Sequence, residues 1–395
     1  MNTIAIDIRL IGRNRTGDEA VFLNLTRELL LLDHENRYLL LTDASGDVNL
    51  ADLAAKLGVV EGGNAEIVSL PTGLPGWLHG VLPMGNRFLW NLFAVPVYLF
   101  RNRVDIFHTQ YILPAFIPKR TKVVAHIHDV SFRVYPELIG WKDRFFLDRF
   151  IPRTMVRADL LVAPSRFTKD EIMRWYGVPE ERIAVVPNAL APDFVRAVTD
   201  IDLVRVRQKY RLPEKFFLHV GTLQPRKNIP FLLRAFAGVR DRIPGANVVL
   251  VGNRAGHHYD TAIDRMIDEK HLGSAVMFPG FVDAADLPAL YRLATACVVP
   301  SKYEGFGIPI LEAFAAGTPV AASDIPPFRE VGGDAVRMFD PDSVAECGET
   351  LYTLYTDFSL GKSLIQKGNE RLSAYSWPES ARVLFSCYER LSDNL

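Results

Sequence analysis

The fold is decided by the segment Val298-Val299-Pro300-Ser301-Lys302-Tyr303-Glu304-Gly305-Phe306-Gly307-Ile308-Pro309-Ile310-Leu311-Glu312-Ala313. It begins with the end of an apolar strand, continues through a loop with two glycines, and enters a helix with a proline near its first position, where a missing N–H costs nothing. Strand, loop and helix in this order are typical of a βαβ unit, whose strands lie in a parallel sheet. The segment therefore predicts an α/β domain.

Short apolar runs and longer amphipathic stretches alternate on both sides of this segment. In the first half the predicted strands are Thr3–Asp7, Tyr38–Thr42, Ala65–Ser69, Asp105–His108, Lys122–Ile127, Leu160–Ala163 and Ile183–Val186. In the second half they are Phe216–Val220, Asn247–Val251, Ala275–Phe278, Ala296–Val299, Val320–Ala322 and Val336–Phe339. The pattern predicts two doubly wound, Rossmann-like domains that face each other across a cleft.

Two domains are expected, because 395 residues are too many for one ordinary core, and the boundary is predicted between Pro187 and Pro213. Pro187 and Pro213 interrupt the chain in this region, and a charged helical pattern begins at Asp200. We therefore predict an N-terminal domain over 1–195 and a C-terminal domain over 200–376.

The composition is that of a soluble globular protein, with 49% hydrophobic and 23% charged residues. The chain has 45 Lys and Arg against 46 Asp and Glu, so no long-range attraction to nucleic acid is expected. Its three cysteines lie far apart and predict small buried hydrophobic residues in a reducing compartment, not a disulfide framework or a metal site. The N-terminus shows no secretory leader, so a cytoplasmic location is expected.

The longest apolar stretch is Phe88–Phe100, which has 13 residues and contains Asn91 and Pro96. It is shorter than the roughly 20 residues of a membrane-spanning helix, so a helix packed on the core is favoured. The alternative is that its exposed aromatic side chains touch a membrane surface.

Glu304 and Glu312 flank the glycine loop of the opening segment. Gly305 and Gly307 let a ligand approach the backbone, whose N–H groups lie at the positive end of the next helix. Such a loop suits a phosphate or sugar hydroxyls, and two carboxylates beside it suit bidentate bonds to vicinal hydroxyls. The alternatives are a solvated loop acid for Glu304 and, for Glu312, an acid that stabilises the first turn of the helix.

A second motif, Leu218–Asn228, also follows a strand and opens a helix, with Asn228 as a candidate N-cap. Arg226 and Lys227 stand at this helix start and can neutralise a diphosphate. Breaking a sugar–phosphate bond leaves charge on the departing diphosphate, and fixed cations stabilise that charge. A solvated basic pair is the alternative.

His126 and His128 lie on the same side of a third strand. His128 is at the end of this strand, where the cleft is expected, and a neutral imidazole there can bond a sugar hydroxyl. The alternatives are a core histidine and a zinc site, for which no further ligands are suggested nearby.

A fourth loop, Gly12–Gly17, leads from the first strand into a helical pattern over Glu19–Leu32 and is by itself a weak signal. The sequence contains no Gly-x-Gly-x-x-Gly, which argues against a nicotinamide dehydrogenase. It also contains no P-loop lysine motif and no nucleophile-elbow serine.

Taken together, these motifs resemble the retaining glycosyltransferases of family 4, which have the GT-B fold. The most specific features are Glu-Gly-Phe-Gly-Ile-Pro, with a second glutamate after seven intervening residues, and Pro-Arg-Lys-Asn at 225–228. The resemblance implies an enzyme that takes a hexose from a nucleotide-sugar donor. It also implies that a C-terminal helix over 377–395 crosses back to the first domain.

The resemblance further implies roles for individual residues. His128, Glu304 and Lys227 would be catalytic, and Gly17 would belong to an acceptor or phosphate loop. The implied donor-binding residues are Thr222, Arg226, Lys227, Val282, Glu304, Gly305, Phe306, Gly307, Ile308 and Glu312. Among these, Glu304 would contact the sugar, Glu312 the ribose and Lys227 the diphosphate. The backbone of Phe281-Val282 would meet the nucleobase.

The sequence departs from the family pattern in two places. Gly221-Thr222 stands where many relatives have glycine and arginine, so one cation is absent or is replaced by Arg226. Gly17-Asp18-Glu19 stands where relatives often read Gly-Ile-Gly-Arg-Tyr, which removes a glycine and a cation.

The predicted reaction is transfer with retention by front-face attack, in which the departing phosphate oxygen takes the proton of the acceptor hydroxyl. No metal and no other cofactor is expected. Mannose from GDP-mannose is the favoured donor, and a saccharide or lipid-linked saccharide of cell-surface polysaccharide synthesis is the favoured acceptor. The alternatives are an epimerase on the same fold and a nucleotide-sugar-binding protein without transfer activity.

Overall fold

The computed structural model describes residues 1–12, 17–43, 49–71, 89–138, 140–256 and 258–393. The chain divides into two compact units. Unit 1 comprises Met1–Arg133, Trp141–Asn188 and Trp377–Leu395, and unit 2 comprises Val134–Gly140 and Ala189–Ser376.

Unit 1 is built on a parallel sheet. Its described residues form seven strands in the order β3-β2-β1-β4-β5-β6-β7. The strands are β1 (Thr3–Asp7), β2 (Arg37–Asp43), β3 (Ala65–Leu70), β4 (Ile106–Gln110), β5 (Lys122–His126), β6 (Leu160–Ala163) and β7 (Ile183–Val185). The order reverses between β1 and β4, and ligands of such sheets bind beyond the carboxyl ends of the strands at this point.

Unit 2 is built on a second parallel sheet, with six strands among its described residues in the order β10-β9-β8-β11-β12-β13. The strands are β8 (Lys215–Val220), β9 (Ala246–Val251), β10 (Val276–Met277), β11 (Ala296–Val299), β12 (Val320–Ser323) and β13 (Val336–Phe339). Here the order reverses between β8 and β11, so the loops after these two strands are neighbours.

Helices connect the strands in both units. In chain order they are α1 (Asp18–Leu32), α2 (Leu50–Leu57), α3 (Val95–Arg101), α4 (Ser131–Val134), α5 (Trp141–Arg157), α6 (Arg166–Tyr176), α7 (Asp200–Lys209), α8 (Ile229–Val239), α9 (Ala262–Glu269), α10 (Leu287–Leu293), α11 (Ile308–Ala316), α12 (Pro326–Gly332), α13 (Val344–Thr356), α14 (Phe358–Leu372) and α15 (Trp377–Ser392). A π-helical turn, Trp90–Ala94, runs directly into α3. The C-terminal helix α15 packs on α1 within unit 1, where Tyr388 bonds His108 at 2.6 Å.

Buried apolar side chains cover both faces of the second sheet, which is why its strands have apolar runs rather than a strict alternation. On one face Phe217, Val248 and Phe236 are buried together, and on the other Leu218 and Phe314 are buried. All three cysteines are free and buried, as the sequence predicted.

The predicted two-sheet α/β fold is confirmed, and each of the thirteen predicted strands forms within two residues of its predicted ends. The largest shortening is at β10, predicted over Ala275–Phe278 and observed over Val276–Met277. This strand lies at the edge of its sheet and pairs with β9 alone, so its ladder ends early.

The apolar stretch predicted over Phe88–Phe100 forms the π turn and α3, with Phe88 itself outside the described residues. Trp90, Val95 and Leu99 are buried, which confirms a helix packed on the core. Phe93, Val97 and Phe100 lie on the opposite face and are exposed. Within the described ranges, no helix combines the length and apolar character needed to cross a membrane.

Candidate active site

The loops that follow β8 and β11 lie side by side in unit 2, because the two strands are parallel neighbours in the sheet. The backbone N–H of Lys302 in one loop donates to the carbonyl of Arg226 in the other at 2.9 Å. Topology and this bond bring together two motifs that are about 80 residues apart in the sequence.

Glu304 is the centre of a compact ion cluster at this edge of the sheet. Its Oε2 accepts a hydrogen bond from Nη1 of Arg226 at 2.9 Å, and its Oε1 accepts from the Lys227 ammonium. Ser301 Oγ donates to the same Oε1 at 2.9 Å. Three predicted site residues therefore meet directly, and the Glu304 side chain is largely buried, not solvated.

The two cations determine the charge of Glu304. Burial on its own would raise the pKa of this carboxyl, but the charges of Lys227 and Arg226, with hydrogen bonds from Lys227 and Ser301, outweigh it and lower the pKa to about 2. The carboxylate is therefore ionised at neutral pH. It offers acceptor oxygens to hydroxyl groups, and the cations beside it offer charge to an anion.

The glycine loop ends at the start of α11. Gly307 has φ +124°, a backbone angle that favours glycine, and a Cβ there would lie 3.1 Å from the Phe328 ring. Phe306 is buried with its ring edge against Tyr375, so it can serve a ligand through its backbone. Ile308 is the first residue of α11, and a helix N-terminus is the positive end to which anions bind.

Glu312 lies in the helix that follows the glycine loop, beyond its first turn. It is the fifth residue of α11 and therefore in the second turn, so it does not stabilise the helix start. Its Oε2 accepts a hydrogen bond from the hydroxyl of Tyr291 at 2.6 Å. Burial raises the pKa of the Glu312 carboxyl to about 7 despite this bond, so it exchanges its proton near neutral pH.

The burial and hydrogen bonds of three other residues singled out in unit 2, Thr222, Val282 and Asn228, are as follows. Thr222 has a buried hydroxyl without a hydrogen-bond partner among the described residues. Val282 is buried beside Phe281, which is 81% exposed and so presents its ring to solvent. Asn228 is the N-cap residue of α8, as predicted, but with a left-handed φ of +57°. Its side chain makes no capping bond and instead donates to Pro341 O at 3.4 Å.

In unit 1, His128 lies two residues beyond the end of β5 and is buried. Its Nε2 is 3.0 Å from Oε1 of Gln110, which ends the neighbouring strand β4. Its Nδ1 is 3.9 Å from a carboxylate oxygen of Asp18. A residue of the altered N-terminal loop therefore lies beside the histidine that the resemblance assigns to the donor sugar.

His128, His126 and His108 are buried and their rings are stacked one after another. The rings of His126 and His128 stack with centroids 4.5 Å apart, and His108 lies parallel to His126 at 6.0 Å. Burial, followed by the charge of His128, lowers the pKa of His108 to about 3 and that of His126 well below its ordinary value. Among the described residues, no group of three His, Cys, Asp or Glu side chains is placed to hold a metal ion.

Gly17 precedes α1 as its N-cap residue, while 13–16 of the same loop lie outside the described residues. The Gly12 N–H donates to Oε1 of Glu19 at 2.7 Å. The backbone at the start of this loop thus binds a carboxylate of its own chain.

Several polar partners were missed at the sequence level. Ser301 could have been found, because Ser301 to Glu304 matches the Ser-x-x-Glu spacing that often pairs a hydroxyl with a carboxylate. Tyr291 and Gln110 stand in ordinary apolar or strand surroundings in the sequence, and no local signal marks them. His219 lies within the second motif, Leu218–Asn228, but no role was assigned to it there.

The cluster of Glu304, Arg226 and Lys227 is chemically suited to a ligand that has both anionic and hydroxyl groups. The family model for glycosyl transferases group 1 matches residues 201–371, and that for glycosyltransferase family 4 matches residues 16–194. The chain belongs to this family of glycosyltransferases and is an enzyme that transfers a sugar.

Two relatives and one solved structure illustrate the similarity. O-antigen chain mannosyltransferase B of Escherichia coli is 30% identical over 70% of this chain and 72% of its own length. The serotype-specific mannosyltransferase WbdA of Escherichia coli is 29% identical over 60% of this chain, but the match spans only 29% of that protein. Sucrose-phosphate synthase of Thermosynechococcus elongatus superposes with a TM-score of 0.76 at 21% identity over 100% of both chains, which supports the GT-B fold.

Proposed function

We propose that this enzyme transfers mannose from GDP-mannose, with retention at the anomeric carbon, to a saccharide or lipid-linked saccharide in the cytoplasmic synthesis of a cell-surface polysaccharide. Two relatives are mannosyltransferases by name, and both motifs that the resemblance assigns to the donor lie at one edge of the unit 2 sheet. No metal or other cofactor takes part in the proposed reaction.

The observation that supports the proposal most is the Glu304 carboxylate held between Arg226 and Lys227. In the proposed complex the sugar hydroxyls donate hydrogen bonds to the Glu304 carboxylate. The diphosphate accepts hydrogen bonds from Arg226 and Lys227 in its place. The cations then stabilise the charge that develops on the leaving diphosphate. The departing phosphate oxygen accepts the proton of the acceptor hydroxyl as the new glycosidic bond forms and the sugar–phosphate bond breaks.

The remaining roles follow the resemblance. Glu312 accepts hydrogen bonds from the ribose hydroxyls, and the backbone of Phe281-Val282 meets the base. The exposed ring of Phe281 is in addition suited to stacking on that base. His128 bonds a hydroxyl of the transferred sugar, with its ring orientation set by Gln110.

The donor is tested by thermal unfolding with GDP, UDP, ADP and their sugars. When every ligand is added at the same concentration, we expect GDP and GDP-mannose to stabilise the protein most. A ligand present at 100 times its dissociation constant raises the free energy of unfolding by about 2.7 kcal/mol. NMR of the product linkage should show the configuration of the donor. Preferential stabilisation by UDP or ADP would reject the proposed donor, and turnover of donor without acceptor would favour an epimerase instead.

A surface of unit 1 is suited to the membrane contact that a lipid-linked acceptor requires. Phe93, Val97 and Phe100 have the spacing of one helix face and are exposed. The loop that carries exposed Phe116 is tied to this helix by the bond from Ala115 N to Asn91 O at 2.7 Å. In segment 89–128 the charged residues are Arg101, Arg103, Lys119, Arg120 and Lys122 against Asp105 alone. Exposed aromatic side chains in a segment rich in basic residues favour binding to an anionic bilayer.

We expect the protein to float with liposomes that contain anionic lipid and to float less with zwitterionic ones. Replacing Phe93 and Phe100 by serine should reduce flotation at least about fivefold without changing unfolding temperature, because both rings are exposed. Phe358→Ser, at an exposed phenylalanine of unit 2, is the matched control. Equal flotation of the double variant and the control would count against this surface.

A further inference from the structure

His219 lies in β8, two residues before Gly221, and is 1% exposed. Its Nδ1 is 3.0 Å from the carbonyl oxygen of Val298 on β11. Because a carbonyl oxygen only accepts hydrogen bonds, Nδ1 must carry the proton and donate it. Burial lowers the pKa of His219 to about 4, with a further contribution from the charge of Lys227, so the ring is neutral and Nε2 holds a free lone pair.

The Nε2 atom of His219 is buried and has no hydrogen-bond partner within the described part of the chain. Buried acceptors without a partner are uncommon in folded proteins. A Cβ added to Gly221 would lie 3.5 Å from this Nε2 and 3.9 Å from Nζ of Lys227. The acceptor and the ammonium therefore border the same small space, which the absent side chain at 221 leaves open.

The Lys227 ammonium can donate three hydrogen bonds, and in the present structure Glu304 takes one of them. When sugar hydroxyls occupy Glu304 and a phosphate oxygen draws the ammonium towards itself, an additional acceptor beside Lys227 would help to hold its direction. Nε2 of His219 is an uncharged acceptor on the side of Gly221. It adds no negative charge that would compete with the diphosphate.

We propose that His219 is a positioning residue for Lys227: its Nε2 accepts an N–H of the ammonium when a donor diphosphate takes Lys227 from Glu304. The inference rests on the proposed function, because the diphosphate is the ligand that moves Lys227. It adds a residue that neither the motifs nor the resemblance assigned.

The test is ¹⁵N NMR of protein labelled in its nine histidines, with the His219 signals identified from His219→Gln. Saturation with GDP should move the Nε2 resonance from the position of a free acceptor towards that of a hydrogen-bonded one. The displacement should be absent in Lys227→Met. Ligand-free Glu304→Ala should show the displacement without nucleotide, because Lys227 then has no carboxylate to bind.

Kinetics give an independent readout. His219→Phe keeps the ring but loses the acceptor, and kcat/KM for the donor should fall about tenfold, which is the effect of one hydrogen bond to a charged group. His219→Gln restores an acceptor oxygen and should stay within about threefold of the natural enzyme. A residue needed only for packing would show no such rescue.

Two results would overturn the inference. One is an Nε2 resonance that stays in place in both GDP-saturated protein and ligand-free Glu304→Ala. The other is a displacement that persists in Lys227→Met, because the donor would then be the ligand or water. If calorimetry detects no binding of any nucleoside diphosphate, the proposed function fails, whereas the ligand-free Glu304→Ala spectrum still decides the contact between His219 and Lys227.

Discussion

Replacing Glu304 by alanine is expected to lower sugar transfer by about 10²–10³-fold, the usual effect of removing one group that orients and stabilises a transition state. Binding of the nucleoside diphosphate should be unchanged or tighter, because Arg226 and Lys227 lose the carboxylate that now occupies them. Transfer is measured with donor and acceptor, and binding by calorimetry with the diphosphate alone. This split between catalysis and binding separates a role in holding the sugar from a role in holding the fold.

Removing a carboxylate from between two largely buried cations also costs stability. Glu304→Gln is therefore the second variant, since it keeps the size of the side chain and an acceptor for Ser301. Glu349→Ala is the matched control, because Glu349 forms an exposed ion pair with Arg242 in the same unit. If Glu304→Ala turns over donor as fast as Glu349→Ala does, the proposed mechanism is rejected.

Replacing Lys227 by methionine is expected to reduce kcat by about 10³-fold, because the leaving diphosphate then lacks a fixed positive charge in a site shielded from water. Methionine preserves the length and apolar stem of lysine, so the packing around this buried side chain is largely kept. The affinity for the nucleoside diphosphate should fall as well. Both quantities are measured by initial rates over a range of donor concentrations and by calorimetry.

Lys302→Met is the matched control for this change. Lys302 lies in the neighbouring loop, its backbone contacts Arg226, and its side chain is exposed. Its loss should alter kcat less than about twofold, as for most exposed charges. Equal rates in the two lysine variants would show that position 227 contributes only general positive charge.

The sequence alone was sufficient for the strands, because alternation, β-branched runs and flanking turns are local properties. The start and end of β11, for instance, follow from four apolar residues before Pro300. The sequence also marked Arg226, Lys227 and Glu304 as residues that follow strands. The strand order, which makes β8 and β11 neighbours and places these three side chains in contact, came from the structure.

Only the tertiary structure showed which side chains from distant segments meet in each unit. Glu312 bonds Tyr291 on another helix, and Asp18 lies beside His128 from a loop more than a hundred residues earlier. The periodicity of a segment gives the side of the strand or helix on which a residue lies, but not what packs against that side. The opposite pKa shifts of Glu304 and Glu312 have the same origin, because burial and neighbouring charge are produced by several segments together.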